Sequence, residues 1–257
     1  MAVRLEKQDA IGHIVLDRPP ANSYDRAFME ELDAAIEEAR KDDSVRAIVV
    51  RSASEKFFSA GADVSVFAKS DLDTQNAFVI CANEAMGKLE STPKVVIAAI
   101  NGHCLGGGFE IALCCDFRIA AEGTYKIGLP EVTLGLLPGT GGTQRLPRLI
   151  GKQKALELML TGRTLAPQEA QDAGLVDEVV PAAELQSRAL ERARSYADGP
   201  SFAKGQIKYA TVQGLATSLA EGLAIERLAL IRLFKSEDAR EGVKAFVEKR
   251  KPEYKGK

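Results

Sequence analysis

Histidine is scarce in this chain: His13 and His103 are the only two in 257 residues, too few to build a multi-histidine metal site. The four cysteines, Cys81, Cys104, Cys114 and Cys115, show no C-x-x-C spacing, and two are adjacent. A disulfide framework or a zinc ribbon is therefore disfavoured, and the expectation is buried thiols acting as small apolar groups in a reducing compartment. No apolar run approaches the roughly 18 charge-free residues that a membrane helix requires. The opening MAVRLEKQDA has no apolar core of a signal peptide. Excess charge of either sign is also missing, with 34 Lys and Arg against 36 Asp and Glu. That balance favours neither nucleic acid nor an anionic membrane as main partner. These absences together predict a cytoplasmic protein. Nucleotide and esterase signatures are missing too: there is no G-x-x-x-x-G-K-[ST], no G-x-G-x-x-G and no G-x-S-x-G.

What is present is an ordinary globular composition, 46% hydrophobic and 27% charged, long enough for one large domain or two small ones. Short apolar runs predict strands over Gly12–Asp17, Arg46–Arg51, Val95–Asn101, Asp116–Ala120 and Leu175–Val180. Between the first two, Phe28, Leu32, Ala35, Ile36 and Ala39 recur at steps of three and four, predicting an amphipathic helix over Arg26–Arg40. Asp73–Leu89 reads as another. Strands alternating with helices indicate an α/β architecture. After about residue 182 the segments 183–198, 201–213, 217–234 and 237–250 all carry helical periodicity. The chain is therefore divided into an α/β core over 1–195 and a helical region over 196–257. Ser236 is expected to cap the last helix, with acids in its first turn. The apolar face of that helix, Val243, Phe246 and Val247, must bury against something, and a neighbouring subunit is the expectation.

Glycine clusters at Gly106–Gly108, after a strand, and in LPGTGG over 137–142. One reading is turns that need positive φ. Another is a backbone N–H site at a helix start, where unpaired amides suit an oxyanion and glycine admits close approach. Glu110 follows at once. It is either a functional carboxylate or an acid favoured by the helix dipole in the first turn. Glu131, in Leu129-Pro130-Glu131 before the apolar VTLGLL, is either a desolvated general acid or a solvated loop residue. A third segment, FFSAGAD over 57–63, again places small residues after a strand. Each feature is weak alone.

In order along one chain they are specific. FFSAGAD, NGHCLGGGFEIALCCDFRIA, GLPEVTLGLLPGTGGTQRLPRLIG, ALELMLTGR, EAQDAGLVDEVVP and SEDAREGVKAFVEKRKP span residues 57 to 252. The sequence resembles the crotonase (enoyl-CoA hydratase/isomerase) superfamily, and its hydratases most closely. The resemblance implies a ββα spiral core with a C-terminal helical trimerisation region, assembled as a trimer or a dimer of trimers. It implies hydration of a 2-enoyl-CoA thioester to 3-hydroxyacyl-CoA, in fatty acid metabolism of the β-oxidation type. No metal or redox cofactor is expected, because coenzyme A is part of the substrate. The backbone N–H groups of Ala62 and Gly107 would hold the thioester oxygen. Glu110 would act as base on water and Glu131 as acid to Cα, with the Gly139 backbone orienting that water. Coenzyme A would lie along Ala60, Ala62, Asp63, Val64, Ser65 and Gly107. Phe246 and Lys249 from a neighbour's last helix would complete its pocket. Tyr24 and residues 65–90 would shape the acyl pocket.

The match has departures. DRPPANSYD replaces a common RPKALNAL, so a lysine that often meets the CoA phosphates is a proline near Pro20. The spacing between Glu110 and Glu131 is one residue longer than the usual hydratase pattern, a difference assigned to the turn Ala121–Thr124. Alternatives to a hydratase are a Δ3-Δ2-enoyl-CoA isomerase, which needs only the second glutamate, and a non-catalytic member that binds acyl-CoA or RNA. The only basic cluster for the latter is the C-terminal KRKPEYKGK.

Overall fold

A computed structural model describes residues 1–256. β1 (Val3–Gln8) pairs antiparallel with β2 (Ile11–Leu16), and α1 (Arg26–Lys41) carries the chain to β3 (Ala47–Ser52), parallel to β2. The short β4 (Phe57–Ser59), α2 (Val64–Phe67) and α3 (Leu72–Glu90) follow. The same sequence of parts recurs as β5 (Val95–Ile100), β6 (His103–Leu105) and α4 (Gly107–Leu113). It recurs again as β7 (Phe117–Ala121), β8 (Ile127–Gly128), a 3-10 turn over Glu131–Leu134, then α5 (Gly142–Ile150), α6 (Lys152–Thr161) and α7 (Pro167–Ala173). β9 (Glu178–Val180) precedes α8 (Leu185–Ala197), α9 (Ser201–Leu215), α10 (Leu219–Phe234) and α11 (Glu237–Val247).

Two sheets result: a six-stranded one in the order β1-β2-β3-β5-β7-β9, and a three-stranded parallel one in the order β4-β6-β8. Each pass of the chain lays one strand in the large sheet, the next in the small sheet, and then a helix. This is the ββα spiral that the resemblance implies. The large sheet is parallel except for β1. Its central strands β3 and β5 (AIVVRS, VVIAAI) are nearly continuous apolar runs buried along their length, the pattern of a parallel sheet covered on both faces. α1 packs against β1 and β2 through Phe28, Met29, Leu32, Ala35, Ile36 and Ala39. Its start is fixed by Asp25, whose Oδ1 accepts from Phe28 N at 3.0 Å. α8 packs against β2, β3, β5 and β7 along the small-residue row Leu185, Ala189, Ala193 and Ala197, and the boundary at 195 falls in its last turn.

The differences from expectation lie at edges and in short elements. β1, a half-exposed edge strand reading VRLEKQ, has too many charges to read as a strand. β4, β6 and β8 are two or three residues long and leave no periodicity. The predicted strand over Leu175–Val180 narrows to Glu178–Val180, because Leu175 closes the turn after α7. The last helix stops at Val247 rather than residue 250: Lys249 takes φ +54°, and the reversed chain lets Arg250 pair with Glu241 at 2.5 Å. Ser236 caps this helix as expected, accepting from Ala239 N at 3.1 Å. α9 and α10 form a helical hairpin whose outer apolar surface stays exposed. α10 buries only Ala229. No helix among the described residues is long and apolar enough to cross a membrane.

Candidate active site

The small sheet gathers what the sequence scatters. Ala60–Ala62 leave the end of β4, Gly106–Glu110 leave β6, and Leu129–Glu131 leave β8. Because the three strands are parallel, all three exits lie at one end of the sheet, the place where open parallel sheets form ligand crevices. The three weak sequence signals are one locus for this topological reason.

At that locus two backbone amides are left over. Tyr24 pairs with Ala62 in a parallel bridge: Tyr24 N donates to Gly61 O at 2.9 Å and Asp63 N donates to Tyr24 O at 2.8 Å. That pattern uses the residues on either side of Ala62 and turns the Ala62 N–H the opposite way. Gly107 opens α4, where its N–H has no intrahelical acceptor. The segments meet backbone to backbone. Gly61 has φ +88°, and a Cβ added there would lie 2.8 Å from Gly107 N. A Cβ on Gly107 would fall 1.7 Å from the Tyr24 hydroxyl, so only glycine fits beneath that ring.

Glu110 sits one helical turn into α4 and is 2% exposed. Its Oε1 accepts from Thr140 N at 2.9 Å and Gly142 N at 2.7 Å, and its Oε2 accepts from the Thr140 hydroxyl. Burial pushes its carboxyl above the ordinary carboxylate range, while these three donors and the nearby Arg145 charge pull it back. Arg145 is itself fixed, donating to Thr140 O at 3.0 Å and pairing with Glu90 at 2.8 Å. Glu131 is the reverse case. It begins the 3-10 turn, its two carboxylate oxygens are shielded from solvent, and neither has a hydrogen-bond partner. Desolvation, with the neighbouring Glu110 charge, pushes its carboxyl up to about 7. Neither acid is therefore a solvated surface residue.

A cavity of about 780 Å³ joins these groups. Of the residues predicted from sequence, it brings together Ala60, Ala62, Val64, Gly107, Glu110, Glu131 and Gly139, along with Tyr24. Phe67, Leu72, Phe78 and Val79 from the segment 65–90, with Leu134, Leu136 and Leu137, supply its apolar lining. Asp63 and Ser65 are not part of the lining. Asp63 caps α2, its Oδ1 accepting from Ser65 N at 3.0 Å and Ser65 Oγ at 2.7 Å. Phe246, 85% exposed, and Lys249 on the turn after α11 also lie outside this chain's own cavity. The bend over 122–124 between β7 and β8 is away from the lining, so the longer spacing before Glu131 leaves both acids facing one space. Thr140, which holds Glu110, was not anticipated. A threonine between glycines gives no sequence signal, and only the return of the 136–142 loop over α4 shows its use.

A family model described as enoyl-CoA hydratase/isomerase matches residues 6–257. A putative enoyl-CoA hydratase/isomerase, YngF, from Bacillus subtilis is 41% identical over 251 residues, covering 97% of this chain and 96% of its own length. A short-chain-enoyl-CoA hydratase from Clostridium acetobutylicum is 39% identical, with 98% of this chain and 96% of its own covered. A crystal structure of a Geobacillus kaustophilus enoyl-CoA hydratase superposes with a TM-score of 0.96 at 44% identity, covering 100% of this chain and 97% of that one. On sequence, fold and site topology alike, the chain belongs to the enoyl-CoA hydratase/isomerase family.

Proposed function

We propose that this protein is an enoyl-CoA hydratase, adding water reversibly across the 2,3 double bond of a 2-enoyl-CoA thioester to give the 3-hydroxyacyl-CoA. The observation that carries the reading is the pair of carboxylates on one cavity, one saturated with donors and one without a partner, beside two unpaired backbone amides. Hydration drives negative charge onto the thioester oxygen as an enolate forms. The Ala62 and Gly107 N–H groups are fixed before the reaction and meet that charge, each worth roughly 3–4 kcal/mol by analogy with other oxyanion sites. Glu110, whose three donors favour its charged form against the cost of burial, takes a proton from the attacking water. Glu131, whose carboxyl titrates at about 7, carries a proton near neutrality and delivers it to Cα. The reverse reaction exchanges the two roles. Gly139 lines the cavity beside Glu110's loop and contributes its backbone to the water's orientation.

Coenzyme A enters as part of the substrate, past Ala60, Ala62 and Val64 at the cavity and Asp63 and Ser65 beside it, and the chemistry calls for no metal or redox cofactor. Phe246 and Lys249 contribute to the pocket of a neighbouring copy. Supporting an assembly, Leu219, Leu228 and Phe234 of α10 are 80%, 55% and 67% exposed, more apolar surface than one helix leaves in water without a partner. A trimer or a dimer of trimers is expected, read as mass by light scattering on a sizing column. A cytoplasmic setting fits the four free thiols. Fatty acid breakdown of the β-oxidation type fits the reaction. RNA binding is disfavoured by the balanced charge of the chain, and within the basic C-terminal cluster Arg250 pairs with Glu241 at 2.5 Å and Glu248 at 2.7 Å, and Lys255 with Glu237 at 3.2 Å.

The test is Glu110→Gln assayed on crotonyl-CoA. Loss of hydration by roughly 10²-fold or more is expected. Near-normal hydration would remove the two-carboxylate mechanism, and retained double-bond migration with no hydration by the unmodified protein would identify an isomerase instead.

A further inference from the structure

Tyr24 is the residue in which the three parts of the site converge. Its backbone pairs with Gly61 and Asp63 and so aims the Ala62 amide. Its hydroxyl lies against Gly107, close enough to exclude a Cβ there. The ring is 1% exposed, lines the cavity, and packs 6.0 Å from both Phe28 and Phe78. At the end of that apolar stack the phenol has one hydrogen-bond partner, Thr140 Oγ1, at 3.5 Å.

The direction of that contact follows from the groups beyond it. A threonine hydroxyl has one hydrogen, and here it goes to Glu110 Oε2. Thr140 Oγ1 therefore faces Tyr24 with lone pairs only, and the phenol must donate. Burial raises the Tyr24 phenol, with Glu110 and Glu131 adding to that, so it keeps its proton throughout the working range. At 3.5 Å the contact is long and its own energy small. Its weight lies in orientation: with a donor at its back, the Thr140 hydroxyl is held pointing at the carboxylate.

We propose that Tyr24 and Thr140 form a hydroxyl relay that positions Glu110, the phenol donating to Thr140 Oγ1 and the threonine donating to Glu110 Oε2. The proposal rests on the hydratase reading for its consequence, which is that the relay keeps Glu110 an acceptor and so a base. Both are positioning residues. The charged and titratable groups around Glu110 are Glu131 across the cavity, Arg145 on α5 with its partner Glu90 on α3, and Cys114 at the C-terminal cap of α4. Cys114 donates to the Glu110 carbonyl at 3.1 Å, leaving the carboxylate alone. Arg145 is pinned by Thr140 O and Glu90, so removing the threonine hydroxyl leaves that charge in place.

The experiment compares Thr140→Val, Thr140→Ser and Tyr24→Phe in the full chain, with two readouts. The first is the pH profile of kcat/KM on crotonyl-CoA. The second is titration of the Glu110 carboxyl by carbon-13 NMR, assigned by its disappearance in Glu110→Gln. Loss of a donor to the charged form raises a carboxyl pKa, so Thr140→Val should move the acidic limb and the Glu110 titration up together by roughly one pH unit. The alkaline limb, set by Glu131, should stay. Thr140→Ser should restore both, and Tyr24→Phe should give a smaller shift in the same direction. Thr140→Ala makes the same comparison should valine prevent folding. A uniform fall in rate with the limb and the titration unmoved would overturn the relay and leave Thr140 a packing residue. If the unmodified protein does not hydrate crotonyl-CoA, the hydratase reading falls, while the NMR titration still decides the relay.

Discussion

The two walls of the cavity hold the same side chain in opposite ways. On one wall, α4 and the returning 136–142 loop close around Glu110 and give its carboxylate three donors. On the other, the 3-10 turn after β8 presents Glu131 with both oxygens out of solvent and no donor from any other residue, only a weak pull from its own backbone N–H. Glu110 is the more deeply buried, yet Glu131 is the one carried to about 7. Burial raises both carboxyls, but only at Glu110 do three donors from the returning loop act against it. Two carboxylates whose surroundings push their proton affinities apart can act as base and acid in one step. The wall with donors favours the charged form of its acid, and the wall without them favours the protonated form.

The comparison breaks first at the reaction. Glu131→Gln keeps shape and removes the transferable proton, so kcat/KM for crotonyl-CoA hydration should fall by roughly 10²–10⁴-fold. A loss of less than tenfold would mean that the donor-free wall is not the acid. A second difference is expected in stability. Glu110→Gln turns an NH2 toward donors that face an acceptor now, leaving at least one of them unpaired in a buried place, at about 1–3 kcal/mol. Denaturant unfolding at fixed protein concentration reads this. An unchanged midpoint would show that the three donors are not satisfied by the carboxylate in solution.

Much of this arrangement was legible in the residues. β3 and β5 are apolar from end to end, and α1 shows its buried face in the spacing of Phe28, Leu32 and Ile36, because burial on a sheet writes itself into composition. Glu110, Glu131 and the small residues around Ala62 and Gly107 were identifiable as a set only through the ordered resemblance, since each alone has an ordinary explanation. What stayed hidden was of two kinds. β4, β6 and β8 are too short to carry a period, although they are the elements that collect the site. The contrast between the two acids depends on where the loop over 136–142 returns. Nothing local to Glu110 announces that Thr140, 30 residues on, will donate to it. Phe246 and Lys249 have a third status: they lie off this chain's cavity.

The smallest expected effect sharpens the comparison most, because it reads the donor-free wall in the absence of substrate. Glu131 is about 7 in the folded chain and an ordinary carboxylate when unfolded. Between those values the folded state holds a proton that the unfolded state has released, so stability falls as pH rises through that window and is level on either side. A fully buried group with this displacement would account for ~3 kcal/mol; the partial exposure of Glu131 reduces this to about 1–2 kcal/mol. Glutamine is neutral at every pH. Glu131→Gln should therefore match the unmodified protein near pH 4.5, where both side chains are uncharged in the fold, and should be the more stable by about 1–2 kcal/mol at pH 8. One substitution would then cost most of the activity and add stability, as expected where a buried carboxylate is retained for chemistry rather than for folding. Equal unfolding free energies at pH 8 would place Glu131 in a wetter setting than its unpartnered oxygens indicate, and the two walls would differ in shape alone.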